Sequence, residues 1–249
     1  MATRVAARRA EGRAPARGFM ADQRFFTLFA AGLAMFIVLG FAQFQLRGYA
    51  NFRTAPAFLH LHGALMLSWL SLFVLQGVLI SRGQVVDHRK TGWLSLGVAV
   101  AVVVVGSYTG LHAIAIGRVP PFFTPAFFLA LNQLGLAAFA LVVIMAVVFR
   151  RQVQWHRRLM VGSGILITEP ALGRLLPMPI LGQTWGELLA MAVQLGMVAV
   201  IARHDRKVLG QVHPATLTVA AVLVGTHLAV ELASRLPLTA TLAASIAAG

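Results

Sequence analysis

The chain has 249 residues, 59% of them hydrophobic and only 11% charged, with a mean hydropathy of +0.81. Soluble domains carry about a quarter charged residues, so an ordinary soluble fold is excluded. The formal charge of +14 invites a nucleic-acid reading. That reading fails because the bases flank apolar runs instead of gathering on one module, and no nucleic-acid partner is expected. The absence of cysteine removes disulfides, thiolate metal sites and CxxCH haem attachment.

Residues 1–23 are rich in Ala and Arg without apolar periodicity and read as a basic, disordered cytoplasmic tail. The run behind them is longer than the apolar region of a signal peptide, which favours an uncleaved first span. Seven runs, near 25–46, 56–80, 93–117, 126–149, 157–176, 185–202 and 215–235, then meet the requirement of about 20 apolar residues per spanning helix. Continuous stretches such as Val98–Val105 contradict the alternation of barrel strands. The expected fold is an all-α polytopic bundle of seven transmembrane helices over residues 24–236, followed by a short C-terminal tail at 237–249. Sixteen of the 21 Lys and Arg residues fall on one side if the N-terminus is cytoplasmic. The excess of bases on cytoplasmic loops then gives an N-in, C-out orientation. Trp69 lies inside the second run, whereas Trp93, Trp155 and Trp185 sit at expected interfaces.

A two-helix pattern recurs. The third, fifth and seventh runs each follow a histidine at the basic side: His88 in DHRKTG, His156 in WHRRLM and His213 in VHPATL. Gln-Leu-Gly is shared at Gln133 and Gln194 in the preceding runs. His88, Arg89, His156, Arg157 and Arg158 are expected to contact anionic lipid headgroups or the propionates of a haem. His60, His204 and His213 read as structural or solvated.

His62 with Gly63, His88-Arg89 with Gly92, His156-Arg157-Arg158 with Met160, and Arg174 together resemble an uncharacterised bacterial membrane family, domain of unknown function 2306. The resemblance covers roughly His60 to Leu176, and Trp93 stands where an arginine is expected after the loop glycine. It implies a membrane fold, and with it a multi-pass location in a bacterial inner membrane, without an established activity. More distantly, the scattered intramembrane histidines are similar to b-type cytochromes of the b561 kind.

At 1.5 Å per residue, His62, His112, Asn132, Gln133, Glu169, His227 and Glu231 fall roughly 6–12 Å below the outer ends of their helices. Ionisable groups in a bilayer cost about 2.5–3.5 kcal/mol each on the insertion scale, so such a layer is expected to be a site. His227 and Glu231 share a helix face at i, i+4. Pro170 deprives a carbonyl of its partner, so a kink is expected beside Glu169.

Two function classes follow. In the first, an inner-membrane protein uses His62, His112 and His227 to hold haem b in a redox role. Equally, those histidines with Glu169 and Glu231 form a nitrogen and oxygen ligand set for a transition metal. In the second, a proton-coupled transporter or an accessory or assembly subunit of a respiratory complex works without a cofactor. Expected partners are membrane lipids, with a quinone or a respiratory-complex subunit beside them. Whether the protein is an enzyme stays open, although serine-hydrolase elbows and phosphate-binding loops are absent from the sequence.

Overall fold

Nine α-helices and one short 3-10 turn make up residues 14–249, which are those described by this computed structural model. They are α1 (Ala14–Leu46), α2 (Ala57–Ser81), α3 (Val85–Ala115), α4 (Pro125–Val148), α5 (Val153–Leu166), α6 (Glu169–Leu175), α7 (Met178–Leu209), α8 (Pro214–Ser234) and α9 (Pro237–Ala248). No strand occurs among the described residues. Helix starts follow local chemistry: Thr124 caps α4 by accepting from the Phe127 amide, and prolines open α4, α8 and α9 where an N–H would lack a partner.

Six helices, α1 to α4, α7 and α8, are long and apolar enough to cross a membrane. Large apolar side chains such as Leu67, Val104, Ile144 and Leu228 point outward on them, as lipid-facing surfaces require. The fifth apolar run behaves differently from the expectation. It divides into α5 and α6, with Ile167 and Thr168 as a turn between them. Six helices of spanning length plus one broken pair therefore stand where seven continuous spans were expected.

Helix α5 is the axis of the bundle. Its buried face includes Leu159, Val161, Ser163 and Ile165, and it packs against α1, α4, α7 and α8. Small residues set these crossings. A Cβ on Gly162 would come within 2.3 Å of Val219 of α8, and one on Gly164 within 2.9 Å of Phe73 of α2. Trp69 stacks on Phe73 at 4.9 Å and meets Phe139 of α4 edge-on at 5.2 Å. Trp69 is thus core, while Trp93 and Trp185 are exposed and Trp155 is half-buried against Phe149.

Both ends of the chain hold more structure than the sequence suggested. The expected N-terminal tail lies outside the described residues up to position 13, but α1 is already helical from Ala14, and Asp22 and Gln23 are buried. The expected C-terminal tail is helix α9, whose Ala243 joins Ile114 and Leu129 in a small apolar cluster.

Candidate functional site

The break in the fifth run creates the first polar cluster. Pro170 has no N–H for the Leu166 carbonyl, so the helix cannot run on. Gln194 of α7 answers from across the bundle. Its Nε2 lies 3.1 Å from the Ile165 carbonyl, 3.4 Å from the Leu166 carbonyl and 3.3 Å from Thr168 Oγ1. Thr168 Oγ1 itself donates to the Ile165 carbonyl at 2.6 Å. A helix broken inside the apolar region is tolerated where neighbours satisfy the freed carbonyls in this way.

The other end of the same amide orients a histidine. Gln194 Oε1 sits 2.9 Å from His227 Nε2 of α8, which fixes that nitrogen as the donor. His227 Nδ1 then faces Glu187 Oε2 at 3.5 Å. Glu187 is only 8% exposed, and neither of its oxygens has a hydrogen-bond partner. Glu169, at the start of α6, stands in the electrostatic field of both Glu187 and Arg174. Arg174 also acts on His62. Its guanidinium lies over Phe41 at 4.1 Å, and Gln43 of α1 holds its backbone carbonyl at 2.8 Å. His62 packs beside Gly106 of α3, and its buried Nδ1 has no hydrogen-bond partner.

The expected outer layer is therefore only partly assembled. Glu169, Gln194, His227 and Glu187 gather at the break, with Arg174 acting electrostatically on both Glu169 and His62, while His62 itself packs beside Gly106. His112 instead stacks on Tyr108 at 5.4 Å and against Phe58 at 4.7 Å. Glu231 pairs with Arg235 one turn along, at the surface, and although His227 and Glu231 share a helix face, His227 faces Glu187 instead. Asn132 packs onto Gly110, and Gln133 exchanges hydrogen bonds with Ser107 of α3. Among the described residues, no three His, Asp or Glu side chains gather in a group able to hold a metal.

A second cluster, at the basic end, was not foreseen. Asp22 of α1 binds Arg157 of α5 and accepts His204 Nε2 of α7 at 2.8 Å, while the His204 ring stacks on Phe25 at 3.7 Å. Arg158 is wholly buried and donates to Asp205 Oδ1 from Nε at 2.9 Å and from Nη2 at 2.5 Å. The other Asp205 oxygen accepts Thr216 Oγ1 at 2.5 Å and the His213 amide at 3.1 Å. His213 caps α8, with Nδ1 accepting from the Ala215 amide. Burial, followed by the charge of Arg158, holds its imidazole below the usual histidine range against the opposing pull of Asp205.

These contacts revise the expectation for the two arginines. Carboxylates of the chain itself occupy the positions assigned to lipid or propionate oxygens, decisively for Arg158, which has no exposed surface. His88 and Arg89 remain at the bundle's edge, and His156 is half-buried beside His88. His204 is a bridging residue between α1 and α7, not a solvated one. Asp205 was hidden in sequence by its basic neighbours in ARHDRK, and Glu187 by its place near the start of an apolar run.

Six apolar helices of spanning length around a polar, broken central helix define an all-helical, multi-pass integral membrane protein. Comparison with protein-family models, with curated proteins and with solved structures finds no match.

Proposed function

We propose that this membrane protein moves protons, alone or coupled to a solute, through the acid–imidazole group at the broken fifth run. Glu187 carries the reading. It is a buried carboxylate on an apolar helix, without hydrogen bonds to either oxygen, opposite the one ring nitrogen of His227 that Gln194 leaves available. Carboxyl and imidazole are the side chains that exchange protons near neutral pH. Intramembrane ionisable groups of this kind mark proton and ion pathways. Glu169 gives the proton a second carboxyl, and Arg174 supplies a compensating charge. The irregular backbone at Ile167–Thr168 supplies polar groups at membrane depth.

The working orientation is N-in, C-out in a bacterial inner membrane, which puts this group in the outer half and the Asp22–Arg157–His204 and Arg158–Asp205 pairs at the cytoplasmic end. Protein reconstituted in potassium-loaded vesicles with an entrapped pH dye tests the reading. When valinomycin imposes an inside-negative potential, the wild type should acidify the lumen several-fold faster than Glu187→Gln or empty vesicles. Equal rates for wild type and Glu187→Gln, with candidate solutes supplied, contradict it.

The redox reading retains one supporting observation, the buried and unpartnered Nδ1 of His62. An imidazole in that state has a nitrogen to offer a haem iron or a metal. The absorption spectrum of protein purified from haem-replete cells tests it, with a Soret band lost in His62→Ala as the supporting result. A partner quinone or respiratory-complex subunit belongs to this reading.

A further inference from the structure

Two polar levels tie the same three helices together. At the break, Gln194 of α7 bonds the Ile165 carbonyl of α5 and meets His227 of α8. Toward the basic end, Asp205 of α7 accepts from Arg158 of α5 at 2.5 Å and from Thr216 of α8 at 2.5 Å. Gln194 and Asp205 are eleven positions apart along α7, and Thr216 and His227 are eleven apart along α8. The antiparallel α7 and α8 therefore keep one register between the levels, which lie about 16 Å apart at 1.5 Å per residue. In that register Val198 falls level with Leu223. Between the levels the buried face of α7 consists of Val198 and Ile201, and that of α8 of Val219 and Leu223. Leu159 of α5 joins them, and all five belong to one apolar cluster. Ser163 lies on the same stretch of α5, but its hydroxyl donates to the Met160 carbonyl of its own helix at 2.7 Å. Gly162 admits Val219 so closely that an added Cβ would come within 2.3 Å of it.

We propose that Leu159, Val198, Ile201, Val219 and Leu223 form a proton seal between the acid–imidazole group and the basic end. The inference rests on the proton-transfer reading and adds the barrier that such a path needs. A proton moves between groups that exchange hydrogen bonds, or along water, and an apolar constriction gates passage by staying dry. Gln194 does not carry the proton onward, because its nitrogen is held by two carbonyls and its oxygen by His227. Beyond it, no buried side chain of α7 or α8 offers a donor or an acceptor until Asp205 and Thr216. A proton held at Glu187 or His227 therefore reaches the basic end only when α5, α7 and α8 part enough for water to enter the layer. The protein is then a carrier whose turnover follows a helix movement, not an open proton wire.

The test uses the full chain reconstituted in potassium-loaded vesicles, with valinomycin setting an inside-negative potential. Leu223→Asn and Val198→Thr, the second keeping the shape of valine, should each speed lumen acidification several-fold over the wild type. Leu223→Met keeps the layer apolar and should leave the rate unchanged. Ile114→Asn puts the same polar group into a separate buried cluster, with Leu129 and Ala243, and should not speed it. A residue that only packs would lower the rate when changed, through loss of folded protein, so a gain separates sealing from packing. If Leu223→Asn does not purify in folded form, Val198→Thr carries the test. Rates at or below the wild type in the polar variants, at equal amounts of folded protein, overturn the proposal. So does an equal gain in Ile114→Asn. Failure of the proton-transfer reading itself shows separately, as equal rates for the wild type and Glu187→Gln.

Discussion

Gln194 of α7 bonds to the carbonyl of Ile165 in α5 at 3.1 Å, at the point where the central helix stops. One side chain thereby stabilises the break and, through its oxygen, orients His227. The pairing links a backbone irregularity to an ionisable group, and the proposed proton path depends on both.

Replacing Gln194 with Leu removes the donor from two freed carbonyls and the acceptor from His227. A buried polar group left unpaired costs about 1–3 kcal/mol, so the variant should unfold at a lower temperature in detergent. Gln194→Glu should fare better on the His227 side, because it still accepts there, and worse at the Ile165 carbonyl. An unchanged melting temperature for Gln194→Leu would show that the break is held by Thr168 alone.

The Arg158–Asp205 pair has no exposed surface on either side chain. Removing one member of such a pair typically costs about 3–5 kcal/mol, because the other charge stays buried without compensation. Asp205→Ala should therefore yield little folded protein. The double variant Arg158→Met/Asp205→Leu should recover much of the loss. Size-exclusion profiles of the three proteins in one detergent check the order.

Glycine positions separate crossings from lipid-facing surface. Gly162→Ala sets a methyl 2.3 Å from Val219, whereas Gly32 of α1 has no atom within 4 Å of an added Cβ. Overpacking of this kind costs about 1–3 kcal/mol. Gly162→Ala should lower thermal stability and Gly32→Ala should not. Equal stability in a thermal scan would contradict the close α5–α8 crossing.

Glu231→Gln breaks a surface pair with Arg235 at i, i+4. Exposed helix pairs contribute about 0.3–0.5 kcal/mol, so both stability and vesicle acidification should stay near wild type. A large loss of proton movement in this variant would return Glu231 to the site from which its geometry removes it.

The all-helical membrane architecture was legible because lipid imposes it: runs of about 20 apolar residues have no alternative but to form helices that satisfy their own backbone. Pro170 signalled the kink beside Glu169, although not that the run would divide at Ile167 and Thr168. The site was legible only in part, because depth along a helix does not say which way a side chain faces. Glu169 and His227 meet the group at the break, while His62 packs beside Gly106, His112 finds two aromatic rings and Glu231 a surface arginine at comparable depth. The basic-end pairs were hidden for a different reason. Asp22 and Asp205 lie far apart in the chain amid arginines, and positive-inside bias accounts for those arginines in sequence without calling for any carboxylate partner.

The carboxyl of Glu187 is the most direct place to examine the account. A hydrophobic carbodiimide reacts with protonated carboxyls it reaches from the lipid, and the adduct is located by peptide mass spectrometry. In reconstituted membranes the account predicts modification at Glu187 that vanishes in Glu187→Gln and parallels the loss of vesicle acidification. Full modification of Glu187 with proton movement undisturbed would contradict it.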